Sequence, residues 1–128
     1  MHTISIDADA NLVTVQYQGK VTVAERTEVL GQLLTMLHET QCRKLLVDFR
    51  RARSPVEDFT ACKDLARRLM ALGVQGCQVA YVWPANGAIH PVVDALAASR
   101  GFLFEKFEDL GEARQWLAMT ATGGPGRN

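Results

Sequence analysis

The chain has 128 residues, 48% hydrophobic and 22% charged, with 14 basic and 14 acidic side chains that cancel at neutral pH. That balance belongs to one globular domain with a single core and excludes the disordered class. Zero net charge also removes any general electrostatic drive toward nucleic acid or an acidic membrane surface.

Thr3 to Ala8 alternates Ile4 and Ile6 with polar neighbours, the period-two pattern of a half-buried strand. Asp9-Ala10-Asn11 reads as a turn, and Leu12 to Gln18 alternates again through Val13, Val15 and Tyr17, so the two runs form an antiparallel hairpin closed at Gly19. Thr22 followed by Glu25 is a capping-box spacing that opens a helix to about Glu39. Its stripe is Leu30, Leu33, Leu34 and Leu37, with Glu25, Arg26, Glu28 and Gln32 assigned to solvent. His38 falls in the last turn, where its charge suits the helix dipole; a metal pairing with Cys42 is the competing reading.

Lys44 to Phe49 is nearly continuous apolar sequence, the mark of a strand covered on both faces. After it comes Arg50-Arg51-Ala52-Arg53-Ser54-Pro55, expected as a basic loop, with Ser54 and Glu57 as the capping box of a helix from Glu57 to Leu72. Phe59, Cys62, Ala66, Leu69 and Met70 make its inner stripe, and Gly73 ends it. Gln78 to Trp83 is a further buried strand, followed by a turn over Pro84–Gly87 and a helix from Ile89 or Pro91 to Arg100. Phe102 to Phe107 reads as an edge strand, a segment through which two copies could pair. Asp109 caps a closing helix carrying Leu110, Ala113, Trp116 and Leu117, and the Gly/Pro-rich residues 120–128 form a flexible tail after a domain spanning residues 1–119.

The resulting order, β-β-α-β-α-β-α-β-α, predicts an α/β fold with a single mixed, mostly parallel sheet. GxGxxG and GxxxxGK[ST] are absent, which argues against a dinucleotide or P-loop site. Three cysteines without CxxC, HxH or HExxH spacing argue against a metal centre or disulfide framework, and no cofactor is expected. The first ten residues lack a signal-peptide pattern and no apolar run approaches the roughly 18 residues of a bilayer span, so a cytoplasmic protein without membrane insertion is expected.

Ligands of open parallel sheets meet the loops beyond the strand carboxyl ends. Two such loops would gather Arg50, Arg51, Arg53, Ser54, Trp83, Asn86 and His90 on one rim, suited to a small anion or an acidic partner surface. The bland alternative is a well-capped helix start beside ordinary surface arginines. No activated nucleophile is in view, so an acid–base pair of Asp48 and His90 is the only enzymatic reading. A carrier of a small apolar molecule or lipid is the second alternative, on the strength of the apolar last strands and helices with Met70 and Met119.

From Ile4 to Gly19, through LLVDFR at Leu45, to FEDLGEARQWL at Phe107, the chain resembles the STAS domains of the anti-anti-sigma factor type and their SpoIIAA-like relatives. The resemblance implies a sheet with helices from successive strand–helix turns and a non-enzymatic, protein-binding regulatory role. In that family an Asp-Ser-Ser-Gly type helix start carries a phosphorylated serine. The matching positions are Glu57-Asp58-Phe59-Thr60, with neither serine nor glycine, so no phosphoacceptor is carried over.

Overall fold

The computed structural model describes residues 1–119; the expected tail, 120–128, lies outside the described residues. In chain order the elements are β1 (His2–Asp7), β2 (Leu12–Lys20), α1 (Val23–Thr40), β3 (Lys44–Arg53), α2 (Phe59–Val74), β4 (Gln78–Val82), α3 (Pro91–Ser99), β5 (Glu105–Phe107) and α4 (Leu110–Met119). The strands form one sheet in the order β1-β2-β3-β4-β5, antiparallel between β1 and β2 and parallel throughout the rest. The expected α/β architecture and element order are both present.

A parallel sheet whose strands follow chain order, joined by right-handed crossovers, places every connecting helix on the same face. Accordingly α1, α2 and α3 share the main core, with Val15, Leu45, Val47, Phe49, Val79 and Tyr81 pointing up from the sheet. Alternate residues point down. There Leu46, Ala80 and Val82 meet Ala113 and Leu117 of α4 in a much smaller cluster. Helix α4 packs mainly on β3, β4 and β5, with Leu12 at the start of β2 at the border of the cluster. Beyond it the lower face over β1 and β2 carries Ser5, Thr14, Gln16 and Gln18, none of them buried.

Three segments depart from the sequence expectations. Strand β3 does not stop at Phe49 but runs to Arg53, because Gln18, Gly19 and Lys20 of β2 continue to pair with Arg51, Ala52 and Arg53. Between the pairs Gln16–Asp48 and Gln18–Arg51, β3 spends three steps against two in β2, a bulge. Helix α2 begins at Phe59, and its cap is Asp58, which accepts from the Ala61 amide at 3.3 Å; the Ser54/Glu57 box does not form. Phe59 is consequently 58% exposed rather than part of the inner stripe. Finally, strand β5 is only Glu105–Phe107, since Phe102 is drawn into the core and Leu103 turns outward.

The N-terminus of α1 matches the expected cap, Glu25 N donating to Thr22 Oγ1 at 3.0 Å. The Glu25 carboxylate does not complete the box; it pairs with His2 Nδ1 at 3.0 Å. Gln41 closes the helix in the left-handed region, φ 61°. At the other end of the fold the buried ammonium of Lys44 donates to Leu117 O in the last turn of α4, tying that helix to the start of β3.

Candidate functional site

The sequence placed seven residues on one rim; the structure distributes them between the two faces of the sheet and the interior. Ala52 faces the main core with Phe49, so Arg51 and Arg53, its neighbours along the strand, point to the lower face. Arg50 also points down and is already committed: its Nε and Nη2 grip the Asp48 carboxylate at 3.0 and 2.9 Å, while its backbone amide donates to the same group at 3.0 Å. The fork is therefore not open to a ligand. Trp83 is buried, stacked on Phe49 with ring centroids 5.3 Å apart. Asn86 stands exposed in the turn closed by Gly87 N and Pro84 O. Asp48 points down and His90 lies against the upper core, so the sheet separates the two and no acid–base pair forms.

The upper, carboxyl end of the sheet instead holds a buried charged cluster centred on Arg26. Its guanidinium is only 5% exposed and lies 5.1 Å from the centre of the Phe49 ring. Phe49 is the middle ring of a run crossing β2, β3 and β4, stacked on Tyr17 at 5.2 Å and on Trp83 at 5.3 Å, and the cation stands against that middle ring. Nη2 stands 3.5 Å from Asp94 Oδ1, and Nη1 donates to His90 Nδ1 at 3.4 Å. Burial opposes the charge on Arg26, but Asp94 and the two tyrosines Tyr81 and Tyr17 outweigh it, and its pKa is raised.

Each neighbour bears the mark of that site. Burial and then the Arg26 charge push His90 down to about 4, so the ring is neutral at pH 7 with Nδ1 free to accept. Burial lifts Asp94 to about 6, against the opposing pull of Arg26, Tyr81 and Lys106. His90 also takes a left-handed backbone, φ 49°, immediately before Pro91 at the start of α3. That conformation is costly for a side-chain-bearing residue, and the hydrogen bond from Arg26 helps to hold it. Glu57 Oε2 lies 4.0 Å from His90 Nε2 and accepts from the Val23 amide at 3.3 Å, joining the starts of α1, α2 and α3.

Above this cluster, the segment from Ser54 to Asp58 crosses from β3 to α2 without regular structure. It presents Val56 fully to solvent, and Phe59 follows at 58% exposure. Cys62, one turn into α2, is buried, and its thiol is raised by burial and by Glu57 and Asp58, which keeps it protonated. Among the described residues no cluster of three or more His, Cys, Asp or Glu side chains could hold a metal ion. Nor is any described helix long and apolar enough to cross a membrane.

No family model matches the chain, and no curated protein matches it significantly. Among solved structures, that of the anti-sigma factor antagonist SpoIIAA in its unphosphorylated form superposes with a TM-score of 0.59 at 11% identity, over 88% of this chain and 92% of that one. The chain has the SpoIIAA-like fold. A crystal structure of Mglu matches with a TM-score of 0.47 at 21% identity, over 65% of this chain and 19% of that one. In the SpoIIAA-like frame the segment from Ser54 to Phe59 is the connection from the central strand to the second helix.

Sequence reasoning missed Arg26 and Asp94. Val23, Arg26, Val29, Leu30, Leu33 and Leu37 follow one helical stripe, so spacing put Arg26 inside it. Its charge type led to the solvent assignment. Asp94 lies one residue after Val93 and three before Ala97, both core, and similarly falls on the buried side of α3.

Proposed function

We propose that this chain is a non-enzymatic, cytoplasmic regulatory domain that binds a protein partner through the Ser54–Phe59 segment at the start of α2. The observation that carries the reading is the exposure of Val56 and Phe59, two large apolar side chains on an irregular connection above a rigid, aromatic-backed support. Exposed apolar anchors on a fixed scaffold are what a protein interface uses. The SpoIIAA-like fold supports it, because the solved protein that shares it is an antagonist of an anti-sigma factor.

Glu57 and Asp58 lie between the anchors but are engaged, one with Val23 N and the other as helix cap. The permanent carboxylate at the cap occupies the region where the resemblance implies a phosphorylated serine, so binding here is constitutive rather than switched. Arg53, directly before the segment, and Arg51 on the same strand face are exposed and carry charge to one border. The partner that fits has an apolar cleft edged by acidic residues. Three cysteines, all free, are consistent with a reducing compartment.

The test is capture of partners from the source cell by the full chain, compared with a Val56→Ser/Phe59→Ser variant. Loss of a specific partner at unchanged melting temperature supports the reading. An identical set of captured proteins for both chains, or no specific partner for either, overturns it.

A further inference from the structure

The half of the lower sheet face that α4 leaves open carries charges with nothing to balance them. Strands β1 and β2 form its floor and α4 its wall, with a cleft of about 480 Å³ between them lined by Ser5, Leu12, Thr14 and Arg114. Toward the carboxyl ends of the strands the floor continues through Gln16 and Gln18 to a cationic corner. There Gln18 pairs with Arg51 and Lys20 with Arg53, and paired residues of adjacent parallel strands present their side chains to the same face. The bulge builds this corner. Strict alternation from Phe49 would turn Arg51 and Arg53 toward the core face; the extra residue turns both down instead. Lys20 and Arg53 thereby become direct cross-strand neighbours of like charge, an arrangement that costs stability. Lys20, Arg51, Arg53 and Arg114 are all exposed, and among the described residues none has a carboxylate within ion-pair distance. Asp48, on the same face, is already held by Arg50.

We infer that this open half seats an acidic, polar helix of a protein partner, laid beside α4. Width selects the element: two strands cover about 10 Å, roughly the diameter of one helix, and α4 fills that layer on the other half. Spacing selects the charge pattern. Cross-strand neighbours such as Lys20 and Arg53 stand about 5 Å apart, and Arg51 and Arg53 about 7 Å apart along one strand. Carboxylates at i and i+4 of a helix stand about 6 Å apart. Arg50 shows the chemistry within the same strand, its fork closed on the Asp48 carboxylate. Asp7, at the far end of the cleft, repels a carboxylate there and so sets the end at which the acidic residues lie. The floor has no aromatic ring on which a nucleic-acid base could stack. The inference rests on the protein-binding reading and carries the acidic border of that partner down the lower face, away from Val56 and Phe59.

The probe is a fluorescein-labelled, stapled alanine–glutamine helix with glutamates at i, i+4 and i+8, titrated into the full chain at low ionic strength and read by anisotropy. Saturable binding is expected, weakened about tenfold in Lys20→Gln/Arg51→Gln/Arg53→Gln and by a smaller factor in Arg114→Gln, with neither variant melting below the wild type. Val56→Ser/Phe59→Ser should bind the probe as the wild type does, so probe binding and partner capture report on the two surfaces separately. Four results would each overturn the inference: no saturable binding; equal binding of a peptide whose glutamates are spread around the helix; tighter binding of a single-stranded oligonucleotide of equal charge; or a dimer of the chain at low salt that the triple variant abolishes.

Discussion

Arg26 is a charge placed where water cannot reach it, and its neighbours are explained by the need to keep it there. Removing one member of a buried ion pair leaves the other uncompensated, at about 3–5 kcal/mol, whereas replacing both by apolar groups is often close to neutral. Asp94→Ala is therefore expected to be severely destabilising and Arg26→Met/Asp94→Leu much less so, as read by urea unfolding. The two shifted groups beside the arginine also act oppositely with pH. His90 stays neutral down to about 4 against an ordinary 6.5, so below pH 6.5 the unfolded chain takes the proton first and stability falls. Asp94 titrates at about 6 against an ordinary 3.8, so as pH drops below 6 the folded chain takes the proton first and stability rises. Each effect is on the order of 3 kcal/mol between pH 6.5 and 4, and they largely cancel. Against the wild type over that interval, His90→Gln should gain stability and Asp94→Asn should lose it. Parallel slopes for all three chains would refute the assignment.

At the scale of elements, strands and helices were readable wherever apolar spacing was regular, as in the β1–β2 hairpin, the KLLVDF strand and α1. The region between β3 and α2 was not. Three arginines and an alanine after Phe49 look like a loop, and only pairing with the end of β2, a partner about thirty residues away in sequence, makes them strand. Two capping residues also competed for the start of α2, and Ser54-Pro55-Val56-Glu57 has the stronger local pattern. Asp58 prevails because Glu57 is drawn to the Val23 amide and His90, contacts no local motif records. The candidate rim failed for the same reason: which face an arginine takes depends on one bulge. Asp58→Ala should cost about 1 kcal/mol, while Ser54→Ala should leave thermal stability within experimental error.

Across the whole molecule the two faces of the sheet are unequal. Three helices cover the upper face, and α4 covers part of the lower one, its Ala113 and Leu117 resting on Leu46, Ala80 and Val82 with the bond from Lys44. Local stability follows buried apolar contact. Amide exchange in α4 should therefore outpace that in α1 and α2, and Lys44→Met should accelerate it further without changing exchange in the upper helices. Uniform acceleration in all helices would mean that the faces open together. The lower sheet surface beside α4 is polar, so release of that helix uncovers little more than the small cluster beneath it.

The bulge in β3 has one more consequence, for how the chain tolerates a change of length. Arg50 and Arg51 are identical, so loss of either codon yields the same product, in which a single arginine follows Phe49. That product alternates regularly: arginine down beside Asp48, Ala52 up into the core, Arg53 down. The doublet Leu45–Leu46 offers no such slack, because losing one leucine inverts every side chain on one side of the gap and pushes Asp48 toward the upper core or Lys44 away from α4. Deleting one arginine should yield a folded protein with a modest fall in melting temperature, and deleting one leucine should yield none. The strand thus contains a spare residue at the one point where its length is free to drift.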